Sequence, residues 1–197
     1  MKKFFNFAFT ISVLFFLNGC IQAALTAVTG VGYSVAQERS VGNAVDDAGI
    51  LGQIESEYVQ KDVNNLFHKI DVQVHEGRVL LTGSVLEPEH RVEAVRLAWQ
   101  PQGVKEVINE IQVVDKEGTP KDYAIDAWVT TQIKAKLLVS GEIKSINYSV
   151  ETVNAIVYLM GVAQNQTELD KVTNIASTIK GVKKVISHVR LKDNVLR

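Results

Sequence analysis

The sequence contains few side chains whose types and spacing could do chemistry. Its strong metal ligands are one cysteine and four histidines, namely Cys20, His68, His75, His90 and His188. A zinc site needs several such ligands close together, and no second ligand type clusters with these histidines. Serine-nucleophile elbows, His-Glu-x-x-His pairs, phosphate loops and dinucleotide fingerprints are absent as well. We therefore predict a protein without enzymatic activity, metal, cofactor or small-molecule substrate.

The cysteine follows a segment with the pattern of a secretory signal. Lys2 and Lys3 precede a mostly apolar run over residues 4–17, and Leu17-Asn18-Gly19 leads into Cys20. A helix of fourteen residues is about 21 Å long, which is short of the roughly 30 Å hydrocarbon core of a bilayer. A membrane-spanning helix is therefore the weaker interpretation, and we predict that residues 1–19 are removed.

The four residues ending at Cys20 resemble the lipobox of bacterial lipoproteins, with a small residue before the cysteine and a leucine three places before it. The resemblance implies that Cys20 carries acyl chains such as palmitate. Ile21 stands where an inner-membrane retention signal usually has aspartate, so the implied location is the outer membrane, lipid-anchored and facing the periplasm. Three acyl chains would anchor the protein permanently, at about 0.8 kcal/mol per buried methylene. The alternative is a buried or incidental cysteine.

The net charge of −1 hides two oppositely charged halves. Without Lys2 and Lys3 the chain has 19 basic and 22 acidic residues, a net charge of −3. From Lys121 onward it has eleven basic and seven acidic residues, or +4, and residues 20–120 then carry −7. Only the second half is therefore expected to approach an anionic membrane. Nucleic acid is a poor partner, because the basic half has no arginine-rich patch with interleaved aromatic residues.

An internal repeat organises most of the chain. Leu81-Thr82-Gly83-Ser84-Val85 recurs 78 residues later as Leu159-Met160-Gly161-Val162-Ala163. Asp47-Ala48 recurs 79 residues later as Asp126-Ala127, so one insertion or deletion separates the copies. We predict a signal at 1–19, a lipidated N-terminus and tether at 20–45, domains at 46–114 and 123–191, a polar linker with the turn formers Gly118 and Pro120 at 115–122, and a tail at 192–197.

Each copy has the pattern helix, strand, strand, helix, strand. The apolar residues that recur every four positions in the two opening helices are Ile50, Ile54 and Tyr58, and Ile125, Val129, Ile133 and Leu137. Two apolar runs and a closing run predict three strands. Pro88 and the cap Asn165 mark the second helices. This order predicts an α+β fold in which two helices pack on a small three-stranded mixed sheet.

The strand endings Leu-Thr-Gly and Leu-Met-Gly, and the Gly-Val-Lys-x-Val before each last strand, resemble the BON domain. The most specific part of the match is residues 126–134, Asp-Ala-Trp-Val-Thr-Thr-Gln-Ile-Lys. With the lipobox in front, the chain is similar to the dual-BON outer-membrane lipoproteins. The resemblance implies non-enzymatic binding of anionic phospholipid through the first helix of the second domain, with roles in envelope integrity and cell division. One departure is Asn154-Ala155, which replaces the Gly77 turn and leaves its geometry open.

Trp128 lies about 100° round the helix from Val129, beside the apolar stripe that must face the sheet. Tryptophan favours a membrane interface, and nearby lysines could meet lipid phosphates at about 1 kcal/mol each. The predicted phospholipid-binding residues are Trp128, Thr131, Gln132, Lys134, Ala135, Lys136, Val139 and Lys144. Two alternatives stay open: Trp128 packs against the first domain or the linker, and the lysines form an ordinary solvated face.

Three further residues receive structural interpretations. Gly83 and Gly161 end the second strand of each copy, where the backbone is expected to approach the neighbouring helix or leave the strand. Trp99 closes the second helix of the first domain and is expected in the core or between the domains. The alternative function is that of a periplasmic protein-interaction adaptor for envelope assembly or stress response.

Overall fold

The computed structural model describes residues 41–192, with side chains from residue 44 onward. The predicted signal at 1–19, the lipidation site Cys20, most of the tether at 20–45 and all but the first residue of the tail at 192–197 lie outside the described residues. Within the described range, no helix combines the length and the apolar character needed to cross a bilayer.

Each repeat folds in the predicted order. The first comprises α1 (Val41–Asp62), β1 (Ile70–His75), β2 (Arg78–Val85), α2 (Pro88–Ala98) and a last strand in two pieces, β3 (Glu106–Asn109) and β4 (Gln112–Val113). The second comprises α3 (Pro120–Val139), β5 (Tyr148–Val153), β6 (Ile156–Ala163), α4 (Gln166–Ser177) and β7 (Lys184–Leu191). The predicted α+β fold is confirmed.

The two sheets have the same topology and register. The middle strand, β2 or β6, pairs antiparallel with the strand before it and parallel with the last strand. Ile70 lies opposite Gly83 in the first sheet, as Tyr148 lies opposite Gly161 in the second. Both sheets are therefore three-stranded and mixed, as predicted, with the last strand of the first sheet interrupted between β3 and β4.

The one-residue difference between the copies falls in the connection between the first helix and the first strand. A π-helical turn, Val63–Phe67, follows α1, whereas a 3-10 turn, Ser145–Asn147, precedes β5. The Asp62 side chain caps the π-helical turn by accepting hydrogen bonds from the backbone N–H groups of Asn64 and Asn65. Because a one-residue slip would turn every side chain of a strand to the other face, the difference is accommodated outside the sheet.

Each domain has a hydrophobic core between its helices and one face of its sheet. The inward residues of the opening helices are Ile50, Ile54 and Tyr58 in α1, and Val129, Ile133 and Leu137 in α3. Ile125 was expected to join the α3 stripe, and this expectation is wrong, because the side chain is 42% exposed. The inward side of α3 at that level belongs instead to Asp126, whose carboxylate binds the β5–β6 turn.

The sheets pack against each other through the faces that the helices leave uncovered. Leu80 of β2 and Tyr158 and Met160 of β6 form a third apolar cluster there. Arg78 donates a hydrogen bond from Nη1 to the carbonyl oxygen of His188, at 3.0 Å, across the same interface. The molecule therefore has four layers in the order helices, sheet, sheet, helices, and its two middle strands are covered on both faces.

Candidate functional site

The helix that carries the predicted site starts with a capping box. Thr119 Oγ1 accepts a hydrogen bond from the backbone N–H of Asp122, at 3.3 Å, and Asp122 Oδ2 accepts one from the backbone N–H of Thr119, at 2.8 Å. The Thr119 hydroxyl also donates to Asp122 Oδ2, at 2.7 Å, and this bond, with the one from the Thr119 backbone N–H, lowers the pKa of the Asp122 carboxyl below its ordinary value. Pro120 occupies the first helical position, where its missing N–H costs nothing. Residues 120–122 of the predicted linker thus form the first turn of α3.

A carboxylate fixes the first half of α3 against the sheet. Asp126 accepts hydrogen bonds from the backbone N–H groups of Asn154, at 2.7 Å, and Ala155, at 3.0 Å. The turn they form has both residues in the left-handed region, at φ 52° and 66°, which is the geometry of a type I′ hairpin. The second hairpin therefore turns as the Glu76-Gly77 turn does, at φ 55° and 77°, although it contains no glycine.

The outward side of α3 brings together five of the eight predicted binding residues. At 100° per residue, Trp128, Thr131, Gln132, Ala135 and Val139 fall within an arc of about 100° that is centred away from the buried stripe. Trp128 is 49% exposed and Val139 82% exposed, while Gln132 is half-buried. The Thr131 hydroxyl donates back to the carbonyl oxygen of Ala127, at 2.8 Å, so it contributes no free donor. We call these five residues the Trp128 face.

The same helix exposes apolar side chains that sequence reasoning did not assign to a site. Leu138 is 74% exposed and lies next to Val139 at the end of the helix, and Tyr123 and Ile125 are exposed near its start. The four-residue periodicity identifies the side chains that face the core. It does not identify apolar side chains that face solvent. A search for large apolar residues outside the stripe would have found Leu138.

The three predicted lysines do not share one surface. Lys136 is exposed about 80° round the helix from Trp128. Lys134 lies about 120° round in the other direction, and its charge opposes the rise that burial causes in the pKa values of Asp71 and Glu151. Lys144 lies beyond the helix, where its backbone N–H donates to Glu168 Oε1 at 2.9 Å. Of the three, Lys136 is the one on the helix that borders the Trp128 face.

Other lysines, which sequence reasoning missed, lie beside α3. Lys121 is two turns before Trp128, about 20° from it around the helix. The loop before β7 also adjoins the helix, because Lys183 donates its backbone N–H to the carbonyl oxygen of Ala155, at 2.8 Å, and a side chain added at Gly181 would meet Val129 at 3.6 Å. This loop carries both Lys180 and Lys183. Lys121 belongs to the helix itself, whereas only the tertiary fold brings the loop with Lys180 and Lys183 to it.

Gly83 and Gly161 were expected to end their strands, but each lies two residues before the strand end. Both lie where the backbone of another segment leaves no space for a side chain. Gly83 has φ 126°, and a Cβ atom there would lie 2.1 Å from the carbonyl oxygen of Lys69. Gly161 has φ 141°, and its Cβ atom would lie 1.9 Å from the carbonyl oxygen of Asn147. The approaching residue immediately precedes the neighbouring strand in each domain, so the close contact is not with one of the α-helices.

The structure shows the positions of two further residues that the sequence analysis singled out, Trp99 and His188. Trp99 was expected in the core or between the domains, but it caps α2 and is 50% exposed. His188 accepts or donates a hydrogen bond at 2.8 Å with Glu110 of the other domain, so it takes part in the contact between domains. Among residues 41–192, no three histidine, cysteine or acidic side chains are grouped as a metal site would require.

This chain is similar to several bacterial proteins, one of which is named as an outer membrane lipoprotein. It is 32% identical to the outer membrane lipoprotein DolP of Haemophilus influenzae over 94% of this chain and 95% of that protein. It is 35% identical to the osmotically-inducible protein Y of Escherichia coli over 77% of this chain and 76% of that protein. An Anaplasma centrale protein named for its position in the gshII 5′ region is 52% identical over 78% of this chain and 99% of that protein.

The family model of the BON domain matches this chain twice, at residues 46–115 and 125–193. Each match spans one of the two helix-strand-strand-helix-strand units. The shared register of the two sheets and the paired Asp47 and Asp126 contacts show that both units have the same architecture. The chain belongs to the BON-domain family, with two copies of the domain in tandem.

Proposed function

We propose that this protein is a lipid-anchored, non-enzymatic protein of the outer membrane that faces the periplasm and binds anionic phospholipid through α3. The observation that carries the proposal is the Trp128 face, where a half-exposed indole and an 82% exposed valine lie on the same side of α3, about three turns apart. An apolar patch that is exposed on a domain with a complete core of its own is typical of an interaction or membrane surface. In this proposal, binding supports envelope integrity and acts at the site of cell division.

Electrostatics favour an anionic surface over a zwitterionic one. The two acidic residues of α3 are both engaged, Asp122 with Thr119 and Asp126 with the β5–β6 turn. Lys121 and Lys136 border the Trp128 face, and Lys180 and Lys183 lie in the adjoining loop. Each lysine near an anionic membrane contributes about 1 kcal/mol, and the indole sits favourably where apolar and wet regions meet.

The anchor and the face act together in this proposal. Acylation at Cys20 would hold the second domain near the bilayer, so that weak headgroup contacts gain from a high effective concentration. The similarity to an outer membrane lipoprotein over 94% of this chain supports the location, since that alignment includes most of the segment before α1. The roles in envelope integrity and division rest on the family resemblance alone.

Vesicle flotation tests the proposal. Protein purified without acyl chains on Cys20 is expected to float with vesicles that contain phosphatidylglycerol and to stay behind with pure phosphatidylcholine. Trp128→Glu places a charge where the indole would insert, and we expect affinity to fall at least tenfold, or about 1.4 kcal/mol. Trp99→Glu is the matched control, because Trp99 is equally exposed but lies on the acidic domain. Equal binding by wild type and Trp128→Glu would refute the site.

NMR with isotope-labelled protein would locate the contact directly. Titration with anionic micelles is expected to shift the signals of α3 and of the loop before β7, and to leave those of α1 unchanged.

The adaptor function competes with this proposal, and the exposed Val92 and Trp99 of the first domain are the surface that favours it. Salt-resistant co-purification of a protein partner, with no vesicle binding, would support the adaptor instead.

A further inference from the structure

The first domain has a groove where the second has its tryptophan. The groove has a volume of about 440 Å³ and lies between the first half of α1, the β1–β2 turn and the loop after α2. Its lining includes Val45, Asp46, Gly49, Gln53, Glu76 and Gln102. In the internal repeat, Gly49 is the counterpart of Trp128.

The missing side chain of Gly49 contributes to this groove. Gly49 and Gly52 lie on the exposed side of α1, and a Cβ atom added at either would meet no atom within 4 Å. Glycine in a helix costs roughly 0.5–1 kcal/mol relative to alanine. Gly49, which lines the groove, therefore lowers helix stability where it leaves the space open, whereas Gly52 lies outside the lining. Their counterparts in α3 are Trp128 and Thr131.

The repeat itself shows which side chain this position accommodates. Trp128 is 49% exposed, so the second domain covers about half of its surface at the equivalent position. The two domains share the helix, the turn and the loop that surround the position, since Asp47 binds the β1–β2 turn as Asp126 binds the β5–β6 turn. The groove is therefore bounded by the counterparts of the elements that surround Trp128 in the second domain.

The charges of the groove and of the Trp128 face are complementary. Asp46 and Glu76 line the groove, together with Asp47, whose carboxylate is engaged by the β1–β2 turn. One lysine lies there, Lys105, which donates a hydrogen bond from Nζ to the carbonyl oxygen of Glu76, at 3.0 Å. The Trp128 face has lysines along its borders, and the aspartates of its helix are engaged in hydrogen bonds. Opposite charges on two surfaces steer their association and favour one orientation.

We propose that the groove around Gly49 receives Trp128 of a second copy of this chain. The contact is heterologous, because the groove and the Trp128 face are different surfaces of the molecule. Each pair therefore leaves one groove and one Trp128 face available, and longer assemblies can grow. A chain that uses Trp128 in this contact cannot use the same side chain on a membrane. The proposal does not depend on lipid binding.

Photo-cross-linking of the full chain in phosphatidylcholine vesicles tests the contact. Trp128 is replaced by p-benzoylphenylalanine, which keeps an aromatic ring at the position. We expect covalent dimers in which the cross-linked peptide contains residues 45–53, 76–77 or 102–105. The same probe at Trp99 is expected to give no cross-link to these residues. Absence of dimers, attachment to lipid only, or attachment to another segment would overturn the proposal.

Substitution of Gly49 provides a matched pair of variants. Gly49→Trp fills the groove, and we expect the yield of cross-linked dimer to fall at least tenfold. Gly49→Ala adds only a methyl group at a site with free space, so the yield should persist and the helix should gain stability. An equal loss with both variants, or no loss with Gly49→Trp, would contradict the proposal. Flotation of Gly49→Trp on anionic vesicles should remain normal, which separates this contact from lipid binding.

Discussion

Helices α1 and α3 occupy equivalent positions in two copies of one fold, and they differ on one side only. Inward, Ile54 and Ile133 are counterparts, and both are fully buried. Asp47 and Asp126 each hold a hairpin turn through two backbone N–H groups. These inward positions must match the same sheet, so the repeat preserves their character.

Outward, the two helices have opposite chemistry. Gly49 of α1 corresponds to Trp128 of α3, and Glu57 corresponds to Lys136. The outward residues touch solvent, so their exchange leaves the core unchanged. The difference teaches that one scaffold can present an acidic groove on one domain and a basic aromatic face on the other.

The inward equivalence is tested by truncating the buried isoleucines. Ile54→Ala and Ile133→Ala should each lower the free energy of unfolding by about 2–5 kcal/mol, because each leaves a cavity in a core where the side chain is fully buried. Urea unfolding followed by circular dichroism measures the loss. A change below 1 kcal/mol in either variant would mean that the two helices are not equivalent supports of their domains.

The helix-to-turn contact is tested by neutralising the aspartates. Asp47→Asn and Asp126→Asn each place an amide N–H against a backbone N–H, and we expect a loss of about 2 kcal/mol for one charged hydrogen bond in either domain. Asp46→Asn is the control, because this neighbour is exposed, and it should stay within about 0.5 kcal/mol of wild type. Unequal losses for Asp47→Asn and Asp126→Asn would contradict the equivalence of the two helix-to-turn contacts.

The outward difference is tested by giving α3 the charge that α1 has. Lys136→Glu installs the residue type found at Glu57, and it should weaken binding to anionic vesicles by about 2 kcal/mol, counting about 1 kcal/mol lost and 1 kcal/mol of repulsion. Lys134→Glu reverses a charge about 120° from Trp128 and should cost less. The loss should shrink as salt rises, because salt screens exposed charges. Equal effects of the two variants would show that the Trp128 face does not orient the helix.

The hairpin turns give the smallest expected effect, and it has opposite signs in the two domains. Ala155→Gly should stabilise the second domain by about 1 kcal/mol, because a left-handed backbone costs alanine roughly that much. Gly77→Ala should destabilise the first domain by more, since its Cβ atom would also lie 2.5 Å from the carbonyl oxygen of Gly103. Thermal unfolding measures both, and a stabilising Gly77→Ala would contradict the shared turn geometry.

Local signals in the chain predicted most elements of this fold. Pro88 begins α2, and Asn165 caps α4 by accepting a hydrogen bond from the backbone N–H of Glu168, at 3.0 Å. The α3 capping box was present as Thr119-Pro120-Lys121-Asp122, but Pro120 was interpreted as a turn former. Proline serves both roles, and the aspartate three positions after the threonine is the feature that distinguishes them.

Contacts between distant segments decided the candidate site. The sequence predicted that Trp128 lies beside the buried stripe, and the tertiary structure added Lys180 and Lys183 from a loop about 50 residues away and turned Lys134 toward Asp71 and Glu151. Helical periodicity defines directions around one helix axis. Helical periodicity does not indicate which other segment of the chain packs against each side of the helix.

By itself, the sequence determined the repeat, the order of elements, the inward stripes and the separation of charge between the halves, because each is encoded in residues that are close in the chain or at a constant offset. The tertiary structure alone decided that the sheets pack back to back through Leu80, Tyr158 and Met160. It also decided that Ile125 lies outside the buried stripe of α3 and that a groove lies beside Gly49. These outcomes depend on burial, which arises only when surfaces from distant parts of the chain meet.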